Sequence, residues 1–119
     1  MSKSEANVEK EIADWCEKNK VLFIKFNPFG SRGWPDRIAV FPTGLHAWIE
    51  LKKKGKTPRK LQLHRMAQLA FQGCLVEWFD NSEDCIVFLQ ECLDAIVEAD
   101  APPEPPEPPV KPVNPVYPH

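Results

Sequence analysis

The chain alternates between stretches whose apolar residues have helical spacing and short runs rich in β-branched and aromatic residues. The first helical stretch covers residues 4–20, where Val8, Ile12 and Cys16 share one stripe and Ser4 is placed to cap the helix. The β-rich runs that follow predict strands over residues 21–26, 37–41 and 45–51.

A second helix is predicted over residues 58–72. Thr57 and Pro58 suit its cap and first helical position, and Gly73 is a natural stop. Helical spacing places one apolar set on the buried side of this helix: Leu61, Met66, Leu69 and Ala70.

One more strand and one more helix complete the pattern. Residues 74–79 form a short apolar run, and Ser82 with the acidic Glu83 and Asp84 predicts the start of a helix that continues to about residue 98. The element order predicts an α/β fold in which a mixed β-sheet is flanked by helices.

The composition changes sharply near residue 100. Hydrophobic residues make up 43% of the chain and charged residues 27%, as in an ordinary globular protein. From Ala101 onward, however, nine of nineteen residues are proline. We therefore expect a single domain over residues 1–100 and an extended, polyproline-like tail over residues 101–119, which acts as a spacer or docks on a protein partner.

Targeting and cysteine patterns point to the cytosol. No apolar run approaches the roughly 20 residues that span a bilayer, and the first residues lack the apolar core of a signal peptide. The four cysteines form no CxxC pair, so we expect reduced, mostly buried thiols. The chain should have no membrane partner.

The net charge of -2 conceals a strong asymmetry along the chain. Between Lys25 and Arg65 there are ten basic residues against two acids, Asp36 and Glu50, whereas the remainder of the chain carries five against fifteen. A basic centre that encloses two acids suits a polyanion brought to a metal site.

The two acids lie at the ends of predicted strands. Asp36 precedes one strand, Glu50 lies near the end of the next, and Lys52 returns to the face of Glu50 about 6.5 Å further along. A divalent ion or a phosphate fits that scale, and Mg²⁺ is the natural candidate, since it accepts one or two carboxylates and keeps waters and room for phosphate oxygens. The alternative is structural: Asp36 as a turn residue, and Glu50 and Lys52 as a solvated strand face.

The segment Gly33-Trp34-Pro35-Asp36, followed after thirteen residues by Glu50-Leu51-Lys52, resembles the PD-(D/E)xK nuclease motif. With Gln62, Leu69 and Gly73 downstream, residues 5–95 are similar to the virus-type replication-repair nuclease (VRR-Nuc) branch. The resemblance implies a PD-(D/E)xK nuclease-like α/β core.

The resemblance also implies site residues. Asp36, Glu50 and the Leu51 carbonyl would hold Mg²⁺, for which Mn²⁺ should substitute, and Lys52 would serve the reacting phosphate. Gln62 matches the family's glutamine on the active-site side. A first-helix glutamate often stands beside the metal in this family, and Glu5 matches that position best, with Glu9 as its rival.

Other residues are candidates for contact with nucleic acid. Trp34 could cap the core or stack against exposed bases, and His64 is expected at the surface or against DNA rather than as a general base. The basic residues around the two acids are predicted DNA contacts: Arg32, Lys53, Lys54, Lys56, Arg59 and Lys60.

Taken with the resemblance, these residues predict a Mg²⁺-dependent endonuclease that hydrolyses DNA phosphodiester bonds. Stand-alone members of the family look like junction-resolving enzymes, which implies a homodimer on branched DNA, cutting four-way (Holliday) junctions. The broad apolar face of the last helix also suggests a second copy. The alternatives are a monomeric flap or fork nuclease and a non-catalytic nucleic-acid-binding module. The resemblance further implies a phage or prophage origin, hence the cytoplasm of a bacterial host.

Overall fold

A computed structural model describes residues 5–98, with the side chain of Glu5 excepted. In order, its helices and strands are α1 (Glu5–Lys18), β1 (Leu22–Lys25), β2 (Arg37–Val40), β3 (His46–Leu51), α2 (Lys60–Phe71), β4 (Leu75–Phe79) and α3 (Ser82–Glu98). The predicted types and order of elements are confirmed. The predicted cap at Ser4, the boundary at residue 100 and the tail over residues 101–119 lie outside the described residues.

The four strands form one mixed sheet in the order β1-β2-β3-β4. β1 and β2 pair antiparallel, as do β2 and β3, whereas β3 and β4 are parallel. A short 3-10 turn over Pro42–Gly44 joins β2 to β3, and α2 makes the crossover between the parallel pair. The predicted mixed α/β architecture is therefore correct.

One face of the sheet carries the core. Ala39 of β2 and Ile49 of β3 are completely buried on it, beneath α1 and α3. The α1 stripe of Val8, Ile12 and Cys16 is also buried, as its spacing predicted. Because side chains alternate along a strand, burying Ile49 and Leu51 on this face turns Glu50 to the opposite face.

The helix α3 begins at Ser82, as predicted. Asn81 caps it, since Asn81 Oδ1 accepts a hydrogen bond from the Asp84 N–H at 2.8 Å. The Ser82 hydroxyl donates instead to Glu11 Oε2 at 2.7 Å. This hydroxyl therefore joins α3 to α1 rather than closing the helix end.

The predicted start of α2 was two residues too early. Arg59, not Thr57, occupies the cap position, and the helix begins at Lys60. The physical reason is Gln62, whose Oε1 accepts a hydrogen bond from the Arg59 N–H at 2.8 Å and closes the first turn there. The predicted stop is correct: Gly73 has a φ of 91°, and Cys74 N–H donates to Leu69 O at 3.0 Å.

The predicted buried side of α2 was wrong in part. No residue of α2 is buried, and Leu61 is 44% exposed, because the helix packs against the edge strand β4 and leaves much of its surface open. Met66 and Leu69 are partly buried, whereas Ala70 is exposed. Among residues 5–98, none of the helices has both the length and the apolar character needed to cross a membrane.

Candidate active site

The antiparallel register of β2 and β3 brings the two predicted carboxylates together. Arg37 is opposite Ile49, so the preceding Asp36 falls opposite Glu50 at the same edge of the sheet. Asp36 Oδ1 accepts a hydrogen bond from the Leu51 N–H at 3.4 Å, and the Asp36 charge acts on the Glu50 carboxyl. The two acids therefore share one site.

Glu50 is buried although it is ionisable. Its residue is 5% exposed, and its Oε2 lies 3.4 Å from Lys52 Nζ. Burial raises the pKa of Glu50 above its ordinary value, the Asp36 charge raises it further, and Lys52 acts in the opposite direction. Lys52 therefore offsets only part of the effect that burial and the Asp36 charge have on Glu50.

Gln62 connects this acidic pair to α2. Its Nε2 donates a hydrogen bond to Glu50 Oε2 at 3.0 Å, while its Oε1 accepts from the Arg59 N–H. Because the two ends of the amide have different partners, the side-chain orientation is fixed. The structure thus places Gln62 where the family resemblance implied.

Arg37 belongs to the site but was absent from the predicted set. It is 4% exposed, its Nη1 donates to the Asp36 carbonyl oxygen at 2.8 Å, and the same nitrogen lies 3.4 Å from Asp36 Oδ2. Its Nη2 forms an ion pair with Glu9 of α1. A sequence signal existed: Arg37 shares strand parity with the buried Ala39, and a buried guanidinium needs an acidic partner.

The structure describes the side chain of Glu9 but not that of Glu5. Glu9 contacts Arg37, so its connection to Asp36 runs through the guanidinium rather than directly. Glu5 is the first residue of α1, and its side chain lies outside the described residues. The predicted role of Glu5 stays a prediction.

The six predicted DNA-contacting residues are all exposed, as expected for such contacts. The loop that carries Lys53, Lys54 and Lys56 is held by a hydrogen bond of 3.0 Å from the Gly55 N–H to Asp80 Oδ2. Asn81 and this Gly55 N–H, both hydrogen-bond donors, lower the pKa of Asp80. The loop therefore leaves the site along the end of β4.

Trp34 is half-buried rather than a fully enclosed core residue. Its Nε1 donates to Ser31 Oγ at 2.7 Å, and the Arg65 guanidinium lies 4.5 Å from the ring centroid. His64 is exposed on α2, as predicted for a surface residue. Trp34 and His64 line one pocket beside α2.

The cysteines match the expectation of reduced thiols. All four are free; three are buried and Cys74 is partly exposed. Burial raises the pKa of Cys16 to about 12, and burial also raises the pKa of Cys85. These thiols are therefore structural rather than nucleophilic.

The donor set fits a hard, water-retaining cation. The described residues contain no group of three or more histidine, cysteine, aspartate or glutamate side chains placed to hold a metal. Mg²⁺ needs no such cage, since one or two carboxylates commonly hold it together with waters and substrate phosphates. Asp36 and Glu50 repel each other, and Glu50 is buried, so both effects disfavour the charged form of Glu50. A bound cation would stabilise that charged form.

Comparison with solved structures identifies the fold. A chain described as a VRR_NUC domain aligns with a TM-score of 0.62 and 22% identity, covering 79% of this chain and 94% of that one. A second, described as a VRR_NUC domain protein, aligns with a TM-score of 0.67 and 18% identity, covering 79% and 91%. The mixed sheet with its flanking helices thus has the fold of these VRR_NUC domains.

A sequence relative gives the family. A protein named "Putative nuclease p44" from Acyrthosiphon pisum secondary endosymbiont phage 1 is 32% identical over 79 residues, which cover 66% of this chain and 85% of the relative. No family model matches the sequence. On the sequence relative and the structural neighbours together, the chain is a nuclease and belongs to the VRR-Nuc family.

Proposed function

We propose that this nuclease is a Mg²⁺-dependent endonuclease that hydrolyses phosphodiester bonds in DNA. The observation that carries the proposal is the convergence of Asp36 and Glu50 beside Lys52, where the start of β2 meets the end of β3. Mn²⁺ should replace Mg²⁺, since both are hard cations that carboxylates bind.

Asp36 and Glu50 would hold the metal ion, together with the Leu51 carbonyl, which is next to the N–H that Asp36 accepts from. When bound, the ion supplies a nucleophile from water at neutral pH and stabilises charge on the phosphoryl oxygens. The protein contributes the fixed placement of the two carboxylates.

Three neighbouring side chains prepare the site. Lys52 carries a positive charge 3.4 Å from Glu50, where it would offset developing negative charge or orient the attacking water. Gln62 holds Glu50 from α2 by donating to Oε2. Arg37 holds Asp36 from the core side by contacting its carbonyl and its carboxylate.

Exposed positive charges surround the acidic pair and would attract DNA to it. The exposed basic residues already predicted as DNA contacts stand before β2, in the loop after β3 and at the start of α2, that is, on the three segments that also provide Asp36, Glu50 and Gln62. Their cations would neutralise backbone phosphates and hold a strand over the two acids. These contacts carry no base code, so recognition would depend on DNA shape.

We propose branched DNA, and four-way (Holliday) junctions in particular, as the substrate, cut by a homodimer. A twofold enzyme would present two sites to a twofold junction. Exposed apolar side chains support a second copy, although most of the apolar face of α3 packs within this chain: Leu22 and Ile24 on β1 are 62% and 46% exposed, and Val97 on α3 is 70% exposed. A monomeric flap or fork nuclease is the alternative substrate assignment.

A cleavage assay distinguishes these functions. End-labelled four-way junction, flap and linear duplex would be incubated with the protein in Mg²⁺, in Mn²⁺ and in EDTA. We expect symmetric cuts in the junction that need the metal. Preferential cutting of the flap would favour the alternative nuclease, and binding of branched DNA without cutting of any substrate would favour a non-catalytic module. A monomeric mass at micromolar concentration would contradict the dimer.

The source of the sequence relative bears on where the proposed activity takes place. The protein named as a nuclease that is similar to this chain comes from a phage, which supports phage encoding and action in the cytoplasm of a bacterial host. The proline-rich residues 101–119 are proposed as a spacer, with contact to a protein partner as the alternative.

A further inference from the structure

A cleft lies on the outer side of α2, next to the proposed active site but separate from its carboxylates. It has a volume of about 530 Å³, and its walls include Trp34, His64, Gln68, Phe71 and Gln72. This volume is within the range of about 300–1,000 Å³ that small-ligand sites occupy. We call it the Trp34 cleft.

The ring of Trp34 is held in place from two sides. Its Nε1 donates to Ser31 Oγ, and Arg65 lies over the ring at 4.5 Å. Arg65 is fixed in turn, because its Nε donates to the Arg32 carbonyl oxygen at 3.1 Å and its Nη1 donates to Gln68 Oε1 at 3.0 Å. A rigid aromatic wall of this kind needs no reorganisation when a planar group stacks on it.

The rest of the cleft combines an exposed ring with polar groups. Phe71 is 87% exposed, a state with no structural benefit for a large aromatic side chain. Gln68 uses its oxygen for Arg65, so its amide nitrogen remains a donor, and Gln72 and His64 add further donors and acceptors. Stacking surfaces beside a few hydrogen-bonding groups are the chemistry that recognises a nucleobase.

The position of the cleft ties it to the proposed active site. Trp34 is two residues before Asp36, and α2 provides both the cleft wall and Gln62. The two elements touch directly: a Cβ on Gly33 would lie 2.6 Å from Leu61 Cγ, so only glycine fits this contact. The cleft and the proposed metal site are therefore built on the same two segments, residues 33–36 and α2.

We infer that the Trp34 cleft binds one unpaired nucleobase, displaced from the helix stack near the cleaved phosphate of branched DNA. This inference rests on the proposed function for the presence of a DNA strand at Asp36. It explains how a small chain can prefer a branch over a duplex, because a base inside an intact duplex has both faces stacked and cannot enter.

The test measures binding in EDTA, where DNA remains uncut. Wild type is titrated with a duplex that contains one unpaired 2-aminopurine and with the matched fully paired duplex. We expect tighter binding of the first DNA and a change in 2-aminopurine fluorescence. Trp34→Leu and Phe71→Ser should each lower the affinity for the unpaired-base DNA by about tenfold. Their affinity for the paired duplex should change by less than about twofold.

Matched controls separate the cleft from general effects. Trp34→Phe keeps an aromatic ring and should retain part of the preference. Phe29→Ser removes another fully exposed phenylalanine that is not part of the cleft wall and should keep all of it. Phe71→Ser replaces an exposed residue and should fold normally. If Trp34→Leu does not fold, Phe71→Ser alone therefore still tests the inference.

Two results would overturn the inference: equal affinity of wild type for both DNAs, or an unchanged preference in both Trp34→Leu and Phe71→Ser. A peptide of residues 101–119 that binds wild type but not Trp34→Leu or Phe71→Ser, when both variants bind the unpaired-base DNA as wild type does, would instead show that the cleft binds a proline-rich segment. Since binding is read without metal, failure of Mg²⁺-dependent cleavage would count against the proposed function and not against this inference.

Discussion

Gln62 Nε2 donates a hydrogen bond to Glu50 Oε2 at 3.0 Å, which ties the first turn of α2 to the end of β3. The other end of the same amide accepts the Arg59 N–H, so one side chain both caps the helix and orients the buried carboxylate. The position of α2 over the sheet and the geometry of the acidic pair are thereby coupled.

Removing this amide should impair cleavage more than folding. Gln62→Ala leaves Glu50 with one fewer donor, and we expect the single-turnover cleavage rate to fall about 10–100-fold, the usual cost of losing a group that orients a metal ligand. Gln90→Ala is the matched control, since that exposed glutamine lies on α3 and donates to Asp94 of the same helix. Equal rates for Gln62→Ala and Gln90→Ala would contradict the role given to Gln62.

Arg37 should be needed for both the site and the docking of α1. Arg37→Lys keeps the charge but cannot contact Glu9 and the Asp36 carbonyl with one rigid fork, so the Mg²⁺ concentration for half-maximal activity should rise about tenfold. Arg37→Met should also lower the free energy of unfolding by about 2 kcal/mol, less than the loss of a fully buried ion pair would cost, because the Glu9 side chain is 41% exposed.

The control for Arg37 is an exposed ion pair on α1, the helix that also carries Glu9. Lys10→Met removes the pair with Asp14, and we expect a change in the free energy of unfolding below about 0.5 kcal/mol. A metal titration of Arg37→Lys that overlays the wild-type curve would show that the guanidinium is only a packing element.

The raised pKa of Glu50 predicts a dependence of stability on pH in the absence of metal. A carboxyl whose pKa is higher in the folded than in the unfolded protein stabilises the fold below its unfolded pKa of about 4.5. This contribution is lost as pH rises through the folded pKa. Glu50→Gln cannot ionise, so it should be more stable than wild type at neutral pH in EDTA, and the difference should shrink toward pH 4.

Urea unfolding in EDTA at several pH values measures this difference. Glu77→Gln, which changes an exposed glutamate on β4, serves as control and should follow wild type. Saturating Mg²⁺ should raise the unfolding midpoint of wild type but not of Glu50→Gln. A Glu50→Gln protein less stable than wild type at neutral pH without metal would contradict the described environment of Glu50.

The loop after β3 should contribute phosphate contacts. Replacing Lys53, Lys54 and Lys56 together by alanine should weaken DNA binding and reduce the slope of log affinity against log salt concentration by roughly 0.9 per lost phosphate contact. Lys10 and Lys18 on α1 are exposed lysines away from the site, and their replacement should leave the slope unchanged. If the slope of log affinity against log salt concentration is equal in both variants, the loop makes no phosphate contacts.

The sequence was sufficient to predict which residues come together where they are joined by neighbouring strands. Strand parity predicted that Glu50 and Lys52 share a face, and the short connection between β2 and β3 was enough to bring Asp36 beside them. The family resemblance supplied Gln62. The Glu9–Arg37 ion pair was missed because it joins residues far apart in the chain and depends on how α1 packs on the sheet. The start of α2 was misplaced because the Gln62 amide competes with the Thr57-Pro58 start signal.

The most direct test of the central claim is the single-turnover cleavage rate of Asp36→Asn on a labelled four-way junction in Mg²⁺. Its DNA affinity in EDTA should match or exceed that of wild type, because asparagine removes a negative charge without changing size. We predict a loss of about 10³-fold or more in rate, as expected when a ligand of a catalytic metal is removed. Cleavage by Asp36→Asn at the wild-type rate would contradict a metal site built on Asp36 and Glu50.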